Sequence, residues 1–252
     1  MPAAPKTKAS ELIEKVNALL NREERDEFTL RKIKIEAEKL RPSNAFSAYV
    51  LLGMLASLED DVDEMRANHL AALKLRPNDP VGNLNYSTSL VHLGFYSEAR
   101  EYALKAYEGN RGSATFLSLL IDRCYKSGRV QQAKGWIHEW ETLNPEQDHD
   151  LKNSILAANE LLKEDGIGDE VVEELVELSL DVLRRNNFHP DGVDIEFLAD
   201  EDSRWLNYTF IVRQSPDIIV NLIFESAKEL AMSNIPSQAT DAVIVTYSSA
   251  LD

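Results

Sequence analysis

The chain has 252 residues, of which 44% are hydrophobic, with a formal net charge of −16 and one cysteine, enough for a helical body and one small domain. No apolar run reaches the roughly 18–20 residues of a membrane-spanning helix, and Met1–Lys8 hold no hydrophobic signal segment, so a cytoplasmic protein without a membrane partner is expected. The lone Cys124 excludes an intramolecular disulfide framework and a cysteine-based zinc site.

In chain order, Ser10 caps a helix with Leu12, Ile13, Val16, Leu19 and Leu20 on one face. A second helix from about Asp26 carries Leu30, Ile33, Ala37 and Leu40 in step and stops at Pro42. From residue 46 the chain repeats itself every 34 residues. Met65, Ala99 and Ala133 recur in register, as do Ala72, Ala106 and Trp140, and Pro77, Arg111 and Pro145. The best-formed copy starts at Pro80 and has Ser87, Gly94, Ala99 and Ala106; the next has Leu117, Gly128, Ala133 and Pro145; the first keeps Gly53, Ala72 and Pro77 but has Asp60 at the turn glycine's place. Small residues let paired helices approach, glycine permits the turn between them, and proline ends the second helix. Over about residues 46–145 the pattern resembles the tetratricopeptide repeat (TPR) family. The resemblance implies stacked helical hairpins that hold other proteins, with the two helices before residue 46 as a degenerate leading unit.

After Pro145 the repeat blurs. Leu151, Ile155, Ala158 and Leu162 line a helix ending at Asp165-Gly166, and Val172, Leu175, Val176, Leu178 and Leu183 another that stops before Asn186-Asn187. This pair reads as a closing cap in preference to a fourth unit. From Phe188 the pattern becomes that of strands: Val193, Ile195 and Phe197 alternate with acids, Asp200–Ser203 turn the chain, and Trp205 to Val212 are rich in aromatic and β-branched residues. Ser215-Pro216 opens a helix through about Met232, and Ala242 to Tyr247 form a last strand. The expected fold is mainly α: a TPR-like helical-hairpin solenoid over residues 1–187, then a small α+β domain over 188–252, strand-strand-helix-strand, with a three-stranded sheet. The helix segment Ile218–Phe224 is apolar around most of its circumference, which implies burial on both sides, by the sheet and the cap helices or, where the caps do not cover it, by a second subunit.

Residues 1–140 carry 20 basic and 19 acidic side chains, whereas residues 141–202 carry 4 and 19. An acidic segment repels phosphate backbones, so no nucleic-acid partner is expected; it suits a solvated face or a basic target. There is no phosphate-cradling glycine loop, nucleophile elbow or His-Glu-x-x-His helix. His149 between Asp148 and Asp150, and His189 before Pro190-Asp191, read as residues of solvated loops, and no metal, cofactor or catalytic residue is assigned.

The TPR resemblance implies a concave groove lined by set positions of each first helix. Here these include Val50, Leu51, Met54 and Leu58, then Val81, Leu84, Asn85, Thr88 and Val91, then Asp122 and Tyr125, with Ser118 at a further position of the third copy. Such a mostly apolar channel suits an extended peptide or an amphipathic helix, unless the leading helices or the chain's own ends fill it. The terminal strand Val243, Ile244, Val245 and Tyr247 would pair with a second copy, as a homodimer, if it lies at a sheet edge; the sequence does not order the strands. The function expected from these features is a protein–protein interaction adaptor or chaperone-like scaffold. The alternatives are an enzyme with a catalytic C-terminal domain and an acidic inhibitor of a basic target.

Overall fold

The computed structural model describes residues 7–20, 26–200 and 203–251, without the side chain of Leu20. The opening residues 1–6, the turn residues 201 and 202 and the place of Leu20 on its helix face lie outside the described residues. The chain forms two compact units, Met1–Leu93 and Gly94–Asp252. The boundary expected at residue 187 thus falls inside the second unit. No helix among the described residues is long and apolar enough to cross a membrane.

The first unit is built around its most apolar segment. Helix α1 spans Lys8–Leu20, α2 Glu27–Leu40, α3 Ala45–Leu58, α4 Val62–Leu75 and α5 Pro80–His92. Asp26, Asn44, Asp61 and Asp79 each accept a backbone N–H at the start of the helix that follows, at 2.8–3.3 Å. Helix α3 has no charged residue and is buried without a break from Val50 to Leu58. Leu12 and Val16 of α1 and Leu30, Ile33 and Ala37 of α2 form one core with it, while α4 and α5 pack elsewhere around it. His69 of α4 is buried, stacks on Tyr86 at 4.8 Å and faces the Ser89 hydroxyl at 2.9 Å. Desolvation pushes its pKa down to about 3 and keeps it neutral. Gly53 makes room for this ring: a Cβ there would fall 2.6 Å from it. This is the physical content of the small residue that the first two copies share 34 residues apart, Gly53 and Ser87.

In the second unit α6 spans Tyr96–Gly109, α7 Ala114–Lys126, α8 Val130–Leu143, α9 Lys152–Glu164 and α10 Asp169–Arg185. Ala99, Ala106 and Ala133, recurring positions of the 34-residue pattern, are fully buried. The turn position of that pattern is left-handed in all three copies, with φ of 59° at Asp60, +76° at Gly94 and +82° at Gly128. Asp tolerates that region better than most residues with a Cβ, which accounts for the one departure from glycine.

Helix α10 supplies what α6 and α8 lack. Neither has a capping side chain of its own. The Asp169 carboxylate accepts from Gln131 N at 2.8 Å and Gln132 N at 3.0 Å, and two turns along α10 Glu177 accepts from Ser97 N at 3.2 Å. Between them Glu173 pairs with Arg100 at 3.3 Å and with Arg129. Part of the acidic excess of residues 141–202 is therefore internal counter-charge and helix capping. Burial raises the Asp169 pKa, opposed by its two backbone donors. Asp169→Ala should lower stability by about 1–2 kcal/mol through the two orphaned N–H groups. Ser113→Ala, at a cap position with no side-chain hydrogen bond, should change it by only a few tenths; thermal melts of both variants check the contrast.

The sheet completes this unit. Strand β1 spans Gly192–Ala199 and β2 Arg204–Val212, and β3, Val243–Ser249, follows α11, Pro216–Met232, and the short α12, Ser237–Ala242. The strand order is β1-β2-β3. The β1–β2 pair is an antiparallel hairpin and β3 runs parallel to β2, as a helical crossover requires. The register puts Ile195, Tyr208 and Val245 on one face, with Phe197, Leu206, Phe210, Val243 and Tyr247. That face packs on the helices: Tyr208 Oη donates to the Tyr125 carbonyl at 2.9 Å and Tyr247 Oη to the Ser179 carbonyl at 2.8 Å, and Phe210 meets Tyr96 edge-on at 5.9 Å. The core of residues 188–252 is shared with α6, α7 and α10.

Candidate functional site

The expected groove positions have separate fates. Val50, Leu51, Met54 and Leu58 are not an open channel; Met54 is 1% exposed, and all four belong to the core formed with α1 and α2. The physical reason is that the leading pair has an apolar face of its own and covers the strongest apolar face available to it. On α5, Asn85 is buried and donates to Val81 O at 2.7 Å, and Thr88 donates to Leu84 O at 3.1 Å. Val81 is 47% exposed, and Leu84, Thr88 and Val91 are half-buried on the same helix face.

The α7 positions are also occupied. Tyr125 is buried beneath the sheet, its ring 6.4 Å from Tyr208, and Asp122 pairs with Lys126 at 3.0 Å and with Arg123. Ser118 meets His149, which is buried and lies edge-on to Trp140 at 4.9 Å. This corrects the expectation of a solvated His149. The pair has the residue types of a nucleophile and a base, but the hydrogen bonds run the other way. His149 Nδ1 accepts from Leu151 N at 3.2 Å, which assigns the ring proton to Nε2, and Nε2 donates to Ser118 Oγ at 2.9 Å. Burial lowers the His149 pKa against the pull of Asp150 and Asp122. The arrangement ties the loop before α9 to α7. Cys124 is buried, with desolvation pushing its thiol up to about 12, so it stays a thiol at neutral pH.

A further apolar surface lies open on α11 and β3. Among the strand positions, Val243 and Tyr247 are buried on the helix-facing side, Val245 is half-buried and Ile244 is 42% exposed. Of the two orders left open by the sequence, β3 takes the edge. Helix α11 buries Ile219, Leu222 and Ser226 against α10 and β3, with Ser226 Oγ 3.2 Å from Ser179 Oγ. On one flank Glu225 accepts from Asn186, the residue that follows α10, and Glu229 from Arg185 of α10, both at 2.9 Å. The other flank has no such cover: Val220 is 48% and Phe224 71% exposed, with Ile223, Ala227 and Ala231 exposed beside them. Helical spacing makes these five residues one uncharged stripe. Helix α11 thus meets both expected neighbours, α10 and the sheet, and this further flank is left without cover. Sequence periodicity marked this helix as apolar all round but gave no sign of which flank stays open.

Against this geometry stand the comparisons with known proteins. No family model matches the chain, and no curated protein matches it.

Proposed function

We propose that the chain is a cytoplasmic protein–protein interaction scaffold of TPR-like hairpins that makes its contacts through α11 and the β3 edge, and not through the concave positions of its first helices. The observation that carries this reading is the uncharged stripe Val220, Ile223, Phe224, Ala227 and Ala231, exposed on a chain of net charge −16. An exposed apolar stripe on a charged chain is the usual mark of a contact surface. A lone buried cysteine fits a reducing compartment. The inhibitor reading is weaker because Asp169, Glu173 and Glu177 of the acidic segment already serve the chain's own helices.

A photo-crosslinking residue at position 224, in cells that express the full chain, tests the proposal. Covalent protein adducts are expected from position 224 and none from exposed Glu108 on α6. No adduct from position 224, or equal yields from both, would remove the α11 surface.

A further inference from the structure

We infer that the occupant of this surface is a second copy of the same chain, joined edge to edge through β3 with the two α11 helices packed against each other. The inference rests on the reading of α11 and β3 as the contact surface and names its partner.

Backbone chemistry comes first. As an edge strand, β3 has one side paired to β2, and its alternate amides and carbonyls point away from the sheet. The two edges of this sheet are not alike. Strand β1 exposes Asp194 and Glu196, charges that discourage another strand from adding there. Strand β3 reads Val-Ile-Val-Thr-Tyr-Ser-Ser, with no charge and no proline. A strand edge is complementary to itself when the two copies run antiparallel, because a two-fold axis perpendicular to the sheet brings donors opposite acceptors.

The same axis accounts for the helix stripe. Helix α11 packs on β3 from the side that carries α10, and its α10-facing flank is the one with Glu225 and Glu229. The exposed stripe therefore faces away from α10. A two-fold axis at the β3 edge keeps both α11 helices on the same side of the joined sheet and turns their stripes toward one another. Ala227 and Ala231 allow close approach, and Val220, Ile223 and Phe224 supply the apolar area.

Charge selects the same partner. Two copies of a chain at −16 repel over most of their surface, whereas neither β3 nor this stripe carries a charge. A basic partner would find its attraction elsewhere on the molecule. A second copy meets least repulsion here, and the result is a six-stranded sheet with β1 at both ends.

Equilibrium sedimentation of the purified full chain, with Phe224→Asp and Ile244→Lys, tests this inference. The parent should approach twice 28.4 kDa as concentration rises, and each variant should stay at the single mass with unchanged helical circular dichroism, because both positions are exposed. Amide exchange provides a readout independent of the variants: residues 243–249 of the parent should gain protection with concentration. A parent that stays monomeric at high concentration, or dimeric variants, would overturn the inference. The crosslink at position 224 separates the two levels. An adduct of twice the chain's own mass supports the dimer. An adduct with another polypeptide and a monomeric parent overturns it and leaves the contact surface standing; no adduct and a monomeric parent removes both.

Discussion

Met54→Asp should unfold the first unit or come close to it. The side chain is 1% exposed in the apolar core formed by α1, α2 and α3. An aspartate there loses the thioether's contacts and must be buried charged or take up a proton, so a loss of about 4 kcal/mol or more is expected. Val220→Asp, on the exposed stripe of α11, is the contrasting change. Its carboxylate stays hydrated, and the stability of the isolated chain should move by no more than about 0.5 kcal/mol. Urea unfolding followed by helical circular dichroism checks both. A Met54→Asp protein as stable as the parent would mean that α1 and α2 do not close over α3, and the concave positions would again be candidates for binding a peptide.

How much of this was legible in the sequence depends on how far apart the interacting residues lie. The helix starts at Pro80 and Pro216, the hairpin of Val193–Phe197 with Trp205–Val212, and the turn position shared by Asp60, Gly94 and Gly128 all follow from neighbours in sequence, and the structure has them there. Periodicity also found the apolar face of α1 and α2 but had no means of pairing it with Val50 and Met54. A groove position and a core position are the same residue type at the same helical phase, and only the presence of a covering helix tells them apart.

Long-range polar contacts were hidden for a different reason. His149 has acidic neighbours in sequence, which suggested solvent, yet its hydrogen-bond partner Ser118 is 31 residues away. Asp169 looks like one more acid at the head of α10, while the N–H groups that it accepts from belong to α8. Excess charge in a segment is a statement about solubility only after internal pairing has been subtracted, and that subtraction needs coordinates. One signal was available: Arg129 stands where α8 needs a capping acceptor, so an acceptor from elsewhere was required.

Gly128→Ala probes a close backbone approach in the second unit. Residue 128 has a φ of +82°, and a Cβ there would fall 2.8 Å from Val172 C and from Glu173 N, and 2.9 Å from Val172 O. These are backbone atoms of α10, which cannot swing aside as a side chain does. Moving α10 would also pull Asp169 from the N-terminus of α8 and Glu173 from Arg129. Gly112 has the same left-handed backbone, with a φ of +86°, but nothing lies within 4 Å of a Cβ placed on it. Gly112→Ala should therefore cost only the conformational term, about 1 kcal/mol. Gly128→Ala adds the clash and should cost about 3–5 kcal/mol in total. At roughly 2–4 °C per kcal/mol for a unit of this size, the two melting points should separate by several degrees. Equal melting points would mean that α10 does not approach this turn closely, and would remove the contact on which the packing of α10 against the α7–α8 turn depends.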